Sequence, residues 1–110
     1  MTLRELIKII DATVVTGHEK LEAEITGVHV SDLLSDVIGN AQEGQVWLTI
    51  QAHANVVAVA LLLNLAAIVF TAGTVPDAET IAKAQTEGVV LLKTGLSTFE
   101  TAGRLFMRRQ

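Results

Sequence analysis

Cysteine is absent from this 110-residue chain, which excludes disulfide bonds, thiolate metal sites and cysteine nucleophiles. Aromatic side chains are scarce, the four being Trp47, Phe70, Phe99 and Phe106. So few rings leave little with which to stack the bases of a nucleic acid. The formal net charge is −4 and the pI is about 5.2, whereas nonspecific nucleic-acid binding needs a basic surface. We therefore expect no nucleic-acid partner.

Long apolar runs are also missing. The longest, from Val56 to Phe70, is interrupted by Asn64 and is shorter than the roughly 20 residues of a membrane-spanning helix. Near the start of the chain, Glu5 and Asp11 interrupt the apolar core that a signal peptide needs. We expect no membrane partner and a cytoplasmic location.

Proline and charged residues are few, whereas apolar residues make up half of the chain. One proline, 18% charged residues and 50% apolar residues are typical of a folded globular domain and not of a disordered segment. The length is that of one compact domain. The sequence therefore predicts a single domain over residues 1–110.

Helical and strand patterns alternate along the chain. Thr2 and Glu5 have the spacing of a capping box in front of an amphipathic helix. Later segments switch between short apolar or β-branched runs and helical periodicity. Predicted strands cover 12–16, 25–30, 45–50, 67–70 and 89–92, and predicted helices begin at Thr2, at Ser31 or Asp32, at His53, at Pro76 and at Ser97.

Short, continuously apolar strands are typical of parallel sheets that are covered on both faces. We therefore expect an α/β fold, with a mainly parallel β-sheet flanked by helices. In the helix after Pro76, Ile81 and Ala82 are predicted to face inward. Arg108 and Arg109 suit the C-terminus of the last helix, where positive charge is favoured.

Motifs that carry chemistry are not found. The glycines are dispersed, so there is no G-x-G-x-x-G fingerprint, and Lys93-Thr94 follows a leucine where a phosphate-binding loop needs a glycine. Ser31 and Ser97 occupy predicted helix starts, where capping explains a hydroxyl without catalysis. We expect no catalytic residues, no cofactor and no enzymatic activity from this chain alone.

Histidines offer one alternative to that interpretation. His29, Asp32 and His53 are conceivable ligands of a shared metal ion, although isolated histidines are more commonly structural or exposed. No H-x-x-x-H pair supports a metal site, and we expect no bound metal.

Polar residues follow each predicted parallel strand. In open parallel sheets, ligands bind beyond the carboxyl ends of the strands, where helix N-termini favour anions. The predicted site for a small anion or nucleotide consists of Ser31, Asp32, His53, Thr71, Gly73, Lys93 and Thr94. The alternative is ordinary loop chemistry between strands and helices, which favours the same residue types.

Several segments resemble the DRTGG domain family, which is similar to the N-terminal domain of HPr kinase/phosphorylase. They are Val30-Ser-Asp-Leu-Leu-Ser-Asp-Val37, Ala67-Ile-Val-Phe-Thr-Ala-Gly73 and the closing run from Ser97 to Leu105. The Asp-Arg of the family name would fall where this chain has Ala52-His53-Ala54, and its Thr-Gly-Gly falls on Thr71-Ala72-Gly73.

The resemblance implies a non-catalytic regulatory or dimerisation module that works with a kinase, a hydrogenase-like protein or another metabolic partner. The alternative that it suggests is a component of an HPr kinase-like protein serine kinase. We disfavour that alternative, because kinases of this kind carry a phosphate-binding loop, and no such loop occurs in this sequence.

The predicted helix over His53 to Leu65 is apolar almost all round. Only Asn55 and Asn64 are polar between residues 54 and 65. A helix on one face of a sheet buries one stripe and exposes the other, so an apolar outer stripe indicates an interface. We expect a homodimer with Ala58 and Leu62 at the contact. The alternative is that the first or the last helix covers this stripe.

Overall fold

The computed structural model describes residues 1–108, so Arg109 lies outside the described residues. Helices and strands alternate along this part of the chain. In order, they are α1 (Leu3–Ile9), β1 (Thr13–Thr16), a 3-10 turn (His18–Lys20), β2 (Gly27–Val30), α2 (Leu34–Asn40), β3 (Gln45–Thr49), α3 (Asn55–Leu63), β4 (Ala67–Phe70), α4 (Ala78–Glu87), β5 (Leu91–Lys93) and α5 (Thr98–Arg108). None of these helices has both the length and the apolar character needed to cross a membrane.

The strands form one sheet in the order β1-β5-β4-β3-β2. The strands β2 to β5 are parallel, and β1 adds to β5 as an antiparallel edge strand. All four residues of β4 are buried, as expected for a central strand covered on both faces. The predicted α/β fold with a mainly parallel, helix-flanked sheet is confirmed.

Side chains that alternate along the central strands divide the core into two layers. Ile68 and Phe70 of β4 pack with α2, α3 and α4 on one face. Ala67 and Val69 of the same strand pack with α1 and α5 on the other face. Burial of both sets of side chains holds five helices against the described sheet.

Helix α3 lies between α2 and α4 and buries Val56, Val57, Val59 and Ala60. The alternative that the first or the last helix covers its outer stripe is wrong, because α1 and α5 lie on the opposite face of the sheet. Ala58, Leu61 and Leu62 therefore remain exposed in the single chain.

Three helix starts differ from the predictions. Helix α3 begins at Asn55, two residues after the predicted His53. Helix α2 begins at Leu34, and its N-cap is Leu33 without a side-chain cap, so Ser31 and Asp32 do not cap it. Helix α4 begins at Ala78 with Asp77 as its cap, so Pro76 precedes the helix instead of lying in its first turn. The Ser31 hydroxyl instead accepts from the Leu33 N–H within the loop before α2, and the Asp32 carboxylate bonds Thr49 and Ile50 at the end of β3.

The buried stripe of α4 also differs from the prediction. Thr80 and Ala84 are buried, whereas Ile81 is half-buried and Ala82 is exposed. Thr80 tolerates burial because its hydroxyl lies 2.6 Å from a carboxylate oxygen of Asp77 and 2.9 Å from the carbonyl oxygen of Ala52. Satisfied polar groups of this kind cannot be recognised from hydrophobic periodicity.

Thr16 connects the edge strand β1 to β5 through two buried hydrogen bonds. Its hydroxyl donates to the Val89 carbonyl (2.7 Å) and accepts from the Leu91 N–H (3.1 Å). The register of β1 and β5 shifts between Val14 and Thr16, so this side chain pairs backbone groups at the irregular end of the ladder.

We expect Thr16→Val to lower the free energy of unfolding by about 1–3 kcal/mol, because two buried backbone groups lose their partner while the side-chain shape is kept. The control is Thr13→Val at the exposed end of the same strand. Urea denaturation followed by the fluorescence of Trp47 measures both variants. Equal free energies of unfolding for the two variants would contradict this role of the Thr16 hydroxyl.

Candidate functional site

The carboxyl ends of the parallel strands β2 to β5 lie along one edge of the sheet, as predicted. The observed strand order places the end of β2 three strands away from the end of β5. With neighbouring strands about 4.8 Å apart, the two ends are roughly 14 Å from each other. One small anion therefore cannot contact all seven predicted residues at once, and each end of this edge has to be considered by itself.

Ser31 and Asp32 connect the end of β2 to the end of β3. The Ser31 carbonyl accepts from the indole N–H of buried Trp47 (2.8 Å). One carboxylate oxygen of Asp32 accepts from the Thr49 hydroxyl (2.8 Å) and from the Ile50 N–H (2.9 Å). These polar groups already have protein partners, which favours the structural alternative for this pair.

His29 lies beside this loop and pairs with Asp36 of α2. The Nε2 atom of His29 is 2.8 Å from one carboxylate oxygen of Asp36, and the Asn40 amide donates to the other (2.8 Å). The hydrogen bond with His29, followed by those from Asn40 and Ser31, lowers the pKa of Asp36 below its ordinary value. The contact fixes α2 against β2.

His53 follows β3, which lies one strand away from β2 and two strands away from β5. It is exposed in the loop before α3, near the start of α4. The pKa of Asp77 there is lowered mainly by hydrogen bonds from the side chain and backbone of Thr80, with a smaller effect from His53. Among residues 1–108, no three acidic or histidine side chains are grouped as metal ligands would be. His29, Asp32 and His53 therefore do not form the metal site considered as an alternative.

Thr71 and Thr94 hold the loops after β4 and β5. The Thr94 hydroxyl is buried and donates to the Ile10 carbonyl (2.7 Å). The Thr71 hydroxyl lies 2.6 Å from the hydroxyl of Thr98, in the first turn of α5. Each hydroxyl is therefore engaged inside the protein, and both residues position the loops that they belong to.

Gly73, Lys93 and Thr94 border one pocket of about 220 Å³ beyond the ends of β4 and β5. The antiparallel strand β1 brings Asp11 and Thr13 to the same pocket, because Thr13 pairs with Lys93. Within residues 1–108, the ammonium group of Lys93 makes no hydrogen bond or ion pair. An unpaired cation in a concave site is suited to bind an anion.

The sequence did not identify Asp11 as a pocket residue. It occupies a left-handed backbone conformation (φ 52°), which turns the chain from α1 into β1. Its carboxylate accepts from Arg104 of α5 at 3.2 Å. The pKa of Arg104 is raised, first by its hydrogen bond with Glu100 and also by Asp11. Polar residues after a helix are common, and no sequence signal distinguishes this aspartate.

The chain matches the model of the DRTGG domain over residues 5–107. This chain belongs to the DRTGG domain family. The predicted resemblance is thereby confirmed, and the match extends from within α1 to within α5 and includes every strand. No curated protein matches the sequence.

A solved structure supports the same fold for this DRTGG domain. It contains the CBS and DRTGG domains of the regulatory region of a Clostridium perfringens pyrophosphatase, complexed with the activator diadenosine tetraphosphate. The TM-score is 0.76 at 20% sequence identity. The alignment covers 97% of this chain and 46% of that chain, so the DRTGG domain spans just under half of that structure.

Ala72 carries a backbone conformation that suits glycine. Its φ is 57°, in the left-handed region, and Gly73 follows with φ 72°. According to the family resemblance, Ala72 stands where the Thr-Gly-Gly element has its first glycine. The loop beside the pocket therefore has the left-handed backbone conformation of a glycine turn, although one of its residues is alanine.

We expect Ala72→Gly to be neutral or stabilising, because relief of left-handed strain offsets the greater entropy of the unfolded chain. The matched control is Ala82→Gly on the exposed face of α4, where the same change costs about 0.5–1 kcal/mol. Thermal unfolding compares the two. A larger loss of stability in Ala72→Gly than in the control would contradict the presence of backbone strain at Ala72.

The pair of His29 and Asp36 predicts a dependence of stability on pH. Since the pKa of Asp36 is lower in the folded than in the unfolded chain, its contribution is complete above the unfolded pKa of about 3.9 and is lost as the pH falls through the folded pKa. We expect Asp36→Asn to be less stable than the wild type near neutral pH, with a difference that shrinks in acid. Urea denaturation over a pH series measures it, and a constant difference would contradict this assignment.

Proposed function

We propose that this DRTGG domain is a non-catalytic regulatory module that binds the phosphate of a small phosphorylated ligand or nucleotide in the Lys93 pocket. The Lys93 pocket is the space bordered by Asp11, Thr13, Gly73, Thr74, Val75, Lys93, Thr94 and Gly95. The observation that carries this proposal is Lys93, whose ammonium has no partner within residues 1–108 and which lines a concave pocket together with other polar residues.

The size of the pocket favours a phosphate group over a whole nucleotide. Pockets that enclose drug-sized molecules are about 300–1,000 Å³, whereas this one has about 220 Å³. A base and a sugar would extend beyond the rim, over the exposed loop of Gly73 and Val75. No atom lies within 4 Å of the position that a Cβ would take on Gly73 or Gly95, so a ligand can approach the backbone there.

Opposite charges at the pocket set how strongly it attracts an anion. Lys93 attracts a phosphate, and Asp11 repels it, but Arg104 partly neutralises Asp11 at 3.2 Å. The pocket is therefore tuned to moderate affinity, which suits a ligand that is sensed and released. Asp11 is the group whose removal should strengthen binding.

The regulatory role is supported by the similar structure, which is a regulatory region complexed with a nucleotide activator. By analogy, this module would act on a metabolic enzyme, either as a partner or within the same polypeptide. We also propose that it works as a homodimer in the cytoplasm, where a chain without cysteine needs no oxidising environment. The serine kinase alternative is tested by ATP turnover with magnesium, which we expect to be absent.

Isothermal titration with inorganic phosphate, AMP and diadenosine tetraphosphate tests the pocket. We expect Lys93→Gln to weaken binding by about tenfold or more, since a charged hydrogen bond contributes about 1.5–3 kcal/mol. Lys83→Gln is the control, because Lys83 is exposed on α4. Asp11→Asn should tighten binding, and asparagine tolerates the left-handed conformation of that residue.

Three results would contradict the proposal. They are the absence of binding by all three probes, equal loss of binding in Lys83→Gln and Lys93→Gln, or ATP turnover by the purified chain. If binding is retained in Lys93→Gln and lost in Asp32→Ala, the ligand occupies the other end of the sheet edge.

A further inference from the structure

Helix α5 presents an apolar stripe on the side that faces away from the core. Phe99 is 88% exposed and Met107 is 82% exposed. Thr101 and Leu105 of the same helix are buried against the sheet. At 3.6 residues per turn, Gly103 points about 160° away from the buried pair, with Phe99 and Met107 about 40° to either side. The outer stripe of α5 is therefore Phe99, Gly103 and Met107.

A groove of about 530 Å³ runs along this stripe. Its walls are Ile9 of α1 on one side and the stripe itself on the other, and Glu100, Arg104 and Arg108 form a charged border. A helix with apolar residues on both its inner and outer faces is expected to be covered on both. Among the described residues, the inner face alone is covered.

We propose that a second copy of this chain docks on the outer stripe of α5, with the two α5 helices antiparallel around a twofold axis at Gly103. This inference rests on the homodimer proposed above and identifies its interface. In this arrangement, Phe99 of each copy packs against Met107 of the other, and Gly103 meets its own counterpart. The stripe is thus self-complementary, as an isologous interface requires.

Charges along the border match the same arrangement. Glu100, Arg104 and Arg108 lie on one side of the stripe, which a twofold axis places beside the same side of the second copy. With a rise of 1.5 Å per residue, Glu100 of one copy lies within about 3 Å along the axis of Arg104 and of Arg108 in the other. Glu100 pairs with Arg104 of its own copy at 3.2 Å, and the second copy adds Arg104 and Arg108 on either side of it along the axis.

A parallel arrangement would lose this match. A twofold axis along the helices would place the charged side of one copy next to the uncharged side of the other, so Glu100 would have no charged partner across the interface. Gly103 has no side chain, and nothing lies within 4 Å of the position that a Cβ would take there. The two helices can therefore approach each other closely at the centre of the interface. The described apolar residues and charges thus favour one orientation.

Cysteine cross-linking tests this interface cleanly, because the chain has no cysteine of its own. Helices packed at about 8–10 Å, each with Cα atoms about 2.3 Å from its axis, leave about 3.4–5.4 Å between facing Cα atoms. That separation overlaps the range of a disulfide, which is about 4.4–6.8 Å. We expect Gly103→Cys to form a covalent dimer with oxidised glutathione, and Leu62→Cys, exposed on α3, to remain monomeric in denaturing gels.

Light scattering after size-exclusion chromatography provides the second measurement. We expect the wild type to be a dimer, Met107→Glu to be a folded monomer, and Leu62→Glu to remain a dimer. Glu100→Arg should weaken the dimer, and the exchange of charges in Glu100→Arg with Arg108→Glu should restore it.

The outcomes separate this inference from the proposed dimer itself. A wild type that is monomeric throughout a dilution series would overturn both. A dimer that is lost in Leu62→Glu and cross-linked by Leu62→Cys would place the interface on α3, which overturns the α5 assignment and leaves the dimer intact. Phosphate binding in the Lys93 pocket is measured separately and is unaffected by either result.

Discussion

The central strand β4 is buried on both sides, and the rest of the fold depends on that burial. Its four apolar residues send Ile68 and Phe70 to one helical layer and Ala67 and Val69 to the other. Burial of each of the three larger side chains, Ile68, Val69 and Phe70, contributes about 1.5–3 kcal/mol. Removing the helices of either face would expose half of these side chains, so both layers are required for a stable sheet.

The same arrangement determines where the polar groups lie. Because both faces of the sheet are covered, the strand ends are the places where loops and ligands meet. Threonine hydroxyls at the strand ends form hydrogen bonds with backbone groups. Thr94 bonds Ile10, and Thr16 bonds Val89 and Leu91. Among the candidate residues, Lys93 is the one whose charge is left for a ligand within the described part of the chain.

Local patterns in the sequence were enough for the fold class and for the loops that carry the candidate site. The continuous apolar runs at 67–70 and 89–92 predicted parallel strands, and a sheet with β2 to β5 parallel is observed. The order of those strands depends on long-range pairing, which no local pattern records. For that reason the prediction grouped Ser31 with Lys93, although three steps across the sheet separate β2 from β5.

Side-chain roles were harder to predict for a related reason. The position of Asp11 at the pocket depends on β1 pairing with β5, and the burial of Thr80 depends on the carbonyl of Ala52. The outer stripe of α5 was readable as a helical periodicity, but its exposure follows from which face meets the sheet. The sequence pattern predicts an exposed apolar surface on α3. In the structure, α2 and α4 partly cover the two sides of that helix.

The most direct test of the ligand pocket is an NMR titration of the ¹⁵N-labelled chain with AMP, which at 11.7 kDa gives well-resolved amide spectra even as a dimer. We expect the largest shifts at the amides of Gly73, Lys93 and Gly95, with little change at Ser31, Asp32 and Gln51. Shifts centred on Ser31, Asp32 and Gln51, or no shifts at saturating AMP, would contradict binding in the Lys93 pocket.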